Sequence, residues 1–216
     1  MLKKIFWLAV VTGLTLGAGS AWSAGRPVAR PPEVLDLYYV AQADYETTSS
    51  GAPAQKSDGG KGYGAKVMTP AGPNSFLHGE YQKTRYDKFD GIAVETDIKF
   101  LRAGFGVSGD SGLYGLAEYI EQEIEMPTSG RQDKGYGVHL GYRSPSNDSL
   151  AFVGQAGYVD VGDFGTGVEY LVGTAYAVTP ALGLFADYRN TQQTDDLDNE
   201  ITFADIRVGL RFKLGG

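Results

Sequence analysis

From residue 34 onward, apolar side chains recur at every second position of this chain. In the last segment Ala204, Ile206, Val208, Leu210, Phe212 and Leu214 share one parity, and Asp205, Arg207, Gly209, Arg211 and Lys213 share the other. Successive side chains of a β-strand point to opposite faces, so a period of two marks an amphipathic strand, whereas a helix needs a period near 3.6. The same split recurs upstream. Leu182, Leu184, Ala186 and Tyr188 oppose Gly183, Phe185, Asp187 and Arg189. Val168, Tyr170, Val172, Thr174, Tyr176 and Val178 oppose Gly167, Glu169, Leu171, Gly173 and Ala175; Tyr136, Val138, Leu140 and Tyr142 oppose Gly137, His139, Gly141 and Arg143. At the start Leu35, Leu37, Tyr39, Ala41, Ala43 and Tyr45 oppose Asp36, Tyr38, Val40, Gln42 and Asp44. No stretch after residue 34 keeps a helical period, and none approaches the roughly 18 apolar residues of a helical span. The chain is all-β.

Turn chemistry separates the runs. Short turn sequences stand at 69–75, 108–112, 144–148 and 179–180, and longer polar connections at 47–60, 86–91, 127–133 and 194–200. Ten strands are expected, at 34–46, 61–69, 75–86, 92–105, 112–126, 134–143, 149–160, 166–178, 182–193 and 201–214, with eight as the fallback if 61–86 forms a surface hairpin instead of wall. Two strands are less regular. In 92–105, Ile92, Val94, Thr96, Ile98 and Phe100 read as the apolar face with Glu95, Asp97 and Lys99 opposite, and Arg102 then falls on the apolar side, which calls for a bulge or an early end. In 112–126, Leu113, Gly115, Ala117 and Tyr119 are assigned outward and Glu118 inward.

The first 23 residues have a different character. Lys3 and Lys4 precede an apolar run from Ile5 to Leu16, and Ala21-Trp22-Ser23-Ala24 supplies small residues for cleavage after Ser23, the pattern of a secretory signal peptide. The domain plan is therefore a signal peptide at 1–23, a proline-rich segment at 24–33 and a β domain at 34–216. Loss of the two lysines takes the formal charge from −7 to −9, and both tryptophans, Trp7 and Trp22, leave with the leader. Such acidity offers no basic footprint for nucleic acid. The absence of cysteine excludes disulfides, thiolate metal sites and a lipidated N-terminal cysteine.

Alternation alone does not decide which face is wet. Three features favour apolar side chains outward, in a closed antiparallel transmembrane β-barrel. Charges of both signs share the polar face, namely Asp187, Arg189, Asp205, Arg207, Arg211, Glu95, Asp97, Lys99, Glu169 and Arg143, and can pair across a narrow lumen. Connections alternate short and long, as in outer-membrane barrels. Tyrosines recur six apart on the apolar face, at Tyr39 and Tyr45, Tyr136 and Tyr142, Tyr170 and Tyr176. In hydrocarbon every strand N–H and C=O needs a partner, so such a sheet must close. A soluble periplasmic lipid carrier is the alternative; it would stay in solution without detergent.

The last strand carries a more specific pattern. Arg207-Val208-Gly209-Leu210-Arg211-Phe212-Lys213-Leu214 resembles the C-terminal assembly signal of the small outer-membrane β-barrel proteins (the porin-family and OmpA/OmpX-like transmembrane domains), with Arg207, Gly209, Phe212 and Leu214 at its four positions. Many members end on an aromatic residue, whereas here Gly215 and Gly216 follow Leu214. The resemblance covers essentially the whole mature chain. It implies residence in the outer membrane of a Gram-negative envelope, contact with outer-membrane lipid and lipopolysaccharide, and recognition by the β-barrel assembly machinery. A monomer without cofactor is expected.

Enzymatic barrels need a histidine beside a nucleophile or carboxylate set. The chain has only His78 and His139, neither in such a pattern, so no catalytic residue is expected. Glu121, Glu123 and Glu125 alternate, Asp160 and Asp163 share one connection, and Asp195, Asp196, Asp198 and Glu200 crowd another. Carboxylate oxygens there could hold Ca²⁺ or Mg²⁺, but no spacing matches a calcium loop, and no metal site is assigned. The expected function is a non-enzymatic integral outer-membrane barrel with a polar, mostly plugged lumen and acidic surface loops. A narrow porin-like channel for ions or small solutes is the alternative.

Overall fold

A computed structural model describes residues 32–49, 53–57, 59–89, 92–144 and 149–214. The expected signal peptide and residues 24–31 lie outside the described residues. The strands are β1 (Val34–Thr48), β2 (Gln55–Lys56), β3 (Gly60–Pro70), β4 (Ser75–Phe89), β5 (Ile92–Ser108), β6 (Leu113–Met126), β7 (Ser129–Arg143), β8 (Leu150–Asp160), β9 (Thr166–Ala177), β10 (Leu182–Thr194) and β11 (Glu200–Lys213). Each wall strand pairs antiparallel with its neighbour, and β11 returns to β1 with Val34 opposite Lys213 and Thr48 opposite Glu200. The result is a closed ten-strand barrel; β2 is a two-residue ribbon laid on β1 above it. Residues 61–86, the uncertain part of the sequence reading, form wall strands β3 and β4, so the eight-strand fallback does not apply.

Both described ends of the chain, with the turns at 71–74, 109–112 and 178–181, lie at one end of the barrel. Gly112 is one place where a turn demands glycine. Its φ is +87°, and a Cβ there would stand 2.2 Å from the Arg143 carbonyl oxygen. At the far end, two of the polar connections expected from sequence turn out to be largely strand. β4 runs on to Phe89, and β6 and β7 meet at a turn of only Pro127 and Thr128. A polar segment keeps its ladder as readily as an apolar one, because pairing satisfies the backbone whatever the side chains face.

The direction of the faces changes along the barrel axis. Around the lower wall, apolar side chains point outward: Leu140 is 69 % exposed, Val138 54 % and Val172 54 %. Tyr136 and Tyr142 face outward, as do Tyr170 and Tyr176. Toward the far end the pattern reverses. Tyr45, Tyr86, Ile98, Phe100, Ile120, Ile124 and Phe203 are packed inside, and Phe164 from the turn at Gly162–Phe164 joins them fully buried. The Tyr45 ring stacks on Phe203 at 5.1 Å between centroids, and Phe100 meets the same ring edge-on at 5.5 Å.

That reversal corrects two sequence assignments. On β5 the face holding Thr96, Ile98, Phe100 and Arg102 points inward, so Arg102 needs no bulge. Glu95 stands exposed on the other face, where Asp97 binds Arg85 at 2.7 Å and Lys83 at 2.7 Å, and Lys99 binds Glu125 at 2.7 Å. The second correction concerns Tyr45. A register shift between Val40 and Gln42 inserts one extra residue into β1, so Tyr39 faces out while Tyr45 faces in. One inserted residue exchanges the two faces of everything beyond it.

Glycine makes the narrow interior possible. Tyr38 lies opposite Gly64, Phe76 opposite Gly106, Tyr114 opposite Gly141 and His139 opposite Gly157. A Cβ at any of these glycines would come within 2.1 to 2.3 Å of the facing ring. Each ring lies flat over a residue that leaves it room.

Candidate functional site

The middle of the barrel is filled by charged side chains that meet across the axis. Arg207 on β11 is fully buried. Its Nε donates to Asp187 Oδ1 at 2.6 Å, and its Nη1 donates to Glu80 Oε1 at 2.6 Å, over the intervening β1 and β3. Glu80 also accepts from Arg189 at 2.7 Å and from the Tyr38 hydroxyl at 2.7 Å. On the other side Arg102 of β5 reaches Glu118 at 2.7 Å and grips Glu169 of β9 with two bonds, at 2.9 and 2.6 Å. Thr191 donates to Glu169 at 2.8 Å, and Gln82 donates to Asp205 at 2.8 Å. Thr191 and Gln82 add hydrogen bonds to the buried carboxylates, whereas Arg102 Nε, Arg189 Nε and Arg207 Nη2 are buried with no hydrogen-bond partner, so the pairs fill most but not all of the network's bonding capacity.

The network fuses the wall. Arg102–Glu169 joins β5 to β9, Arg189–Glu80 joins β10 to β4, and Arg207–Glu80 joins β11 to β4. Removing one partner from such a pair typically costs about 3–5 kcal/mol, because the other charge is left buried and alone.

Toward the end that holds the termini, the packing opens into a cavity of about 70 Å³. Asp36, Lys66, His78, Glu118, Arg143 and Arg211 contribute polar atoms, with Phe76, Tyr114 and Phe185 among the apolar lining. Arg211 holds Asp36 with two bonds of 2.7 Å, and Lys66 sits 3.5 Å from both Asp36 and Asp187.

Of the ten charges expected on the lumen face, seven are in this interior, Asp187, Arg189, Asp205, Arg207 and Glu169 in the network and Arg143 and Arg211 at the cavity, whereas Glu95, Asp97 and Lys99 lie on the outward face of β5. Sequence reasoning did not assign Asp36, Lys66, Glu80, Arg102 and Glu118 as partners. Asp36 already stood on the polar parity of the first strand, and Arg102 was the residue that broke an otherwise apolar face. Those were the available signals.

Of the assembly-signal residues, Arg207 points inward, and Gly209 lies opposite Tyr38 on β1 and Phe185 on β10. Phe212 faces Leu35 and Leu182, and the Leu214 amide donates to the Glu33 carbonyl at 3.0 Å.

In the far-end loop Asp195 turns its carboxylate onto its own loop, accepting from the Leu197 and Asn199 amides and the Asn199 side chain, each at 2.9 Å. Burial acts to raise its pKa, but the bonds from Asn199 and Leu197 outweigh it and hold the carboxyl below the ordinary range. Asp196, Asp198 and Glu200 are exposed. Among the described residues, the histidine and carboxylates close enough to share an ion are Glu118, His139 and Glu169. There Arg102 already lies between the two carboxylates, and His139 Nε2 is 3.1 Å from Glu118. A guanidinium holds the place a metal would need.

No family model and no curated protein matches the chain. Solved structures do. The translocator domain of the autotransporter NalP from Neisseria meningitidis is similar over 98 % of both chains, at 13 % identity and a TM-score of 0.51. Neisserial surface protein A is similar over 84 % of this chain and 97 % of its own, at 15 % identity and a TM-score of 0.44. The attachment invasion locus protein Ail of Yersinia pestis is similar over 84 % of this chain and 99 % of its own, at 14 % identity and a TM-score of 0.37. Identities at this level speak to fold alone. A closed ten-strand wall, outward aliphatic rows and a full-length match to a translocator barrel give this chain the fold of the small outer-membrane β-barrel proteins.

Proposed function

We propose that this protein is a non-enzymatic integral barrel of the Gram-negative outer membrane whose lumen is plugged by its own ion pairs. The observation that carries this reading is Arg207, with 0 % exposure, bridging Asp187 and Glu80 in the middle of the barrel. Above it the apolar cluster around Phe100, Phe164 and Phe203 adds a second, dry layer. Ions crossing would have to displace both. The chain's ends face the periplasm in this reading, and the far end, with Asp195, Asp196, Asp198 and Glu200, faces outward beside lipopolysaccharide. Those acidic residues form a polar outer surface, and divalent cations shared with lipopolysaccharide phosphates are the partners their charge fits. The final strand, with Arg207, Gly209, Phe212 and Leu214, serves as the segment read by the assembly machinery, and the protein works as a monomer.

Planar-bilayer recording tests the plug. The protein as it stands should give no stable open steps, whereas Arg207→Ala combined with Glu80→Ala should give measurable leak while keeping the heat-sensitive gel migration of a folded barrel. Stable steps from the unaltered protein would instead support the second reading, a narrow channel. The cavity of about 70 Å³ that enters the lumen from one end favours that alternative.

A further inference from the structure

The cavity at the end holding the termini contains a charge imbalance that the ion network does not resolve. Each carboxylate lining it is already matched. Asp36 is held by Arg211 through two bonds of 2.7 Å, Asp187 by Arg207 at 2.6 Å and Glu118 by Arg102 at 2.7 Å. The cations of the lining are matched too, with one exception. Arg211 and Lys66 lie against Asp36, and Arg189 lies against Glu80 at 2.7 Å. Arg143 has no carboxylate within ion-pair distance among the described residues. Its Nη1 approaches the thioether of Met68 at 3.3 Å, and its guanidinium carbon lies 5.4 Å from the centre of the Tyr114 ring.

A thioether is a weak acceptor, and the face of a phenol is a partial substitute for a counter-charge. A partly buried guanidinium with those contacts alone retains several donors in a planar fork. The remaining wall mixes the polar side chains His78, Gln155 and Thr174 with an aromatic surface, where Phe76 and Tyr114 meet edge-to-face at 6.0 Å, flanked by Leu116 and Val153. The Tyr114 hydroxyl is committed to Gln155 at 2.9 Å, which leaves the ring as the surface it offers.

From this juxtaposition we propose that the cavity is a binding site for a small organic carboxylate carrying a compact hydrophobic group, taken from the terminal end of the barrel. Its carboxylate would sit in the Arg143 fork, the bidentate geometry that guanidinium favours. Its apolar part would lie against Phe76 and Tyr114. Inorganic phosphate fits less well, since it brings more charge and more acceptors than one guanidinium satisfies and has nothing to place on the rings. The site lies below the central ion pairs, so it stands whether or not the lumen conducts.

Calorimetric titration of the full chain, folded in detergent micelles, tests this with benzoate, acetate and inorganic phosphate as probes. Benzoate should bind saturably at one site and more tightly than acetate, and phosphate should bind least. Arg143→Gln should weaken benzoate at least about tenfold, equivalent to about 1.4 kcal/mol. Arg131→Gln, at the far end, should leave binding unchanged. No saturable benzoate binding, unchanged affinity in Arg143→Gln, or tighter binding of phosphate than of benzoate would each overturn the assignment. Should Arg143→Gln not fold, the unaltered protein decides. Benzoate must shift the ring resonances of Phe76 and Tyr114, and shifts confined to other residues would overturn the site.

Discussion

At the scale of single residues, what a charge does here depends on what its neighbours leave unsatisfied. Asp195 and Glu80 are both acids with every oxygen engaged, yet one organises a loop and the other ties four strands together. Asp195 gives a prediction whose sign is fixed. Its carboxyl titrates below the ordinary aspartate range, so its contribution to loop order is complete above about pH 3.9, the usual aspartate value, and fades as the pH falls through the lower value. Hydrogen exchange of the Leu197 and Asn199 amides, which donate to that carboxylate, should show protection at neutral pH that declines on acidification. Asp195→Asn should reduce the protection at neutral pH and flatten its pH dependence. Protection that is unchanged by that substitution would show the loop is ordered by something else.

At the scale of an element, β11 and β5 show what alternation can and cannot reveal. Along β11 one parity faces out and the other in, from Ile206 and Val208 to Arg207 and Gly209, and the sequence alone made that split legible. Val208→Arg should therefore block membrane insertion, at a cost of about 2–4 kcal/mol near mid-bilayer, while Arg207→Ala leaves the lipid-facing surface intact. Flotation of the two variants with lipid vesicles checks it; equal tolerance would contradict the facing of the strand. On β5 the same rule misleads. Its inward face changes from Ile98 and Phe100 to Arg102 at the level where the outward face changes from Asp97 and Lys99 to Leu101 and Phe105, and no glycine, proline or break in the alternation marks that level. In β1 one extra residue near Ala41 reverses the faces without any glycine or proline to announce it. The strand boundaries were legible because turn residues punctuate them. The cross-barrel partners were not, because Arg102 and Glu169 are 67 positions apart and only closure brings them together.

At the scale of the whole molecule, the barrel is two structures joined end to end. One part is turned inside out, with aliphatic rows outward around paired charges; the other is built like a water-soluble barrel, with Phe100, Phe164 and Phe203 inside and the Asp97 and Lys99 ion pairs outside. The chain can change character along its axis because backbone pairing is indifferent to which face is wet. In the inverted part the aromatic–glycine contacts, from Tyr38 with Gly64 to His139 with Gly157, let large rings fit inside the wall.

The inverted part carries the account, and one measurement reaches it directly. The only tryptophans, Trp7 and Trp22, precede residue 34, so a leader-free chain accepts a single fluorescent reporter wherever it is placed. Leu140→Trp and Phe100→Trp, refolded separately into bilayers whose acyl chains are brominated near mid-depth, compare the outer wall with the sealed interior. Strong quenching at 140 with little at 100 is the predicted result; an unquenched reporter at 140, in protein that remains soluble without lipid, would contradict it.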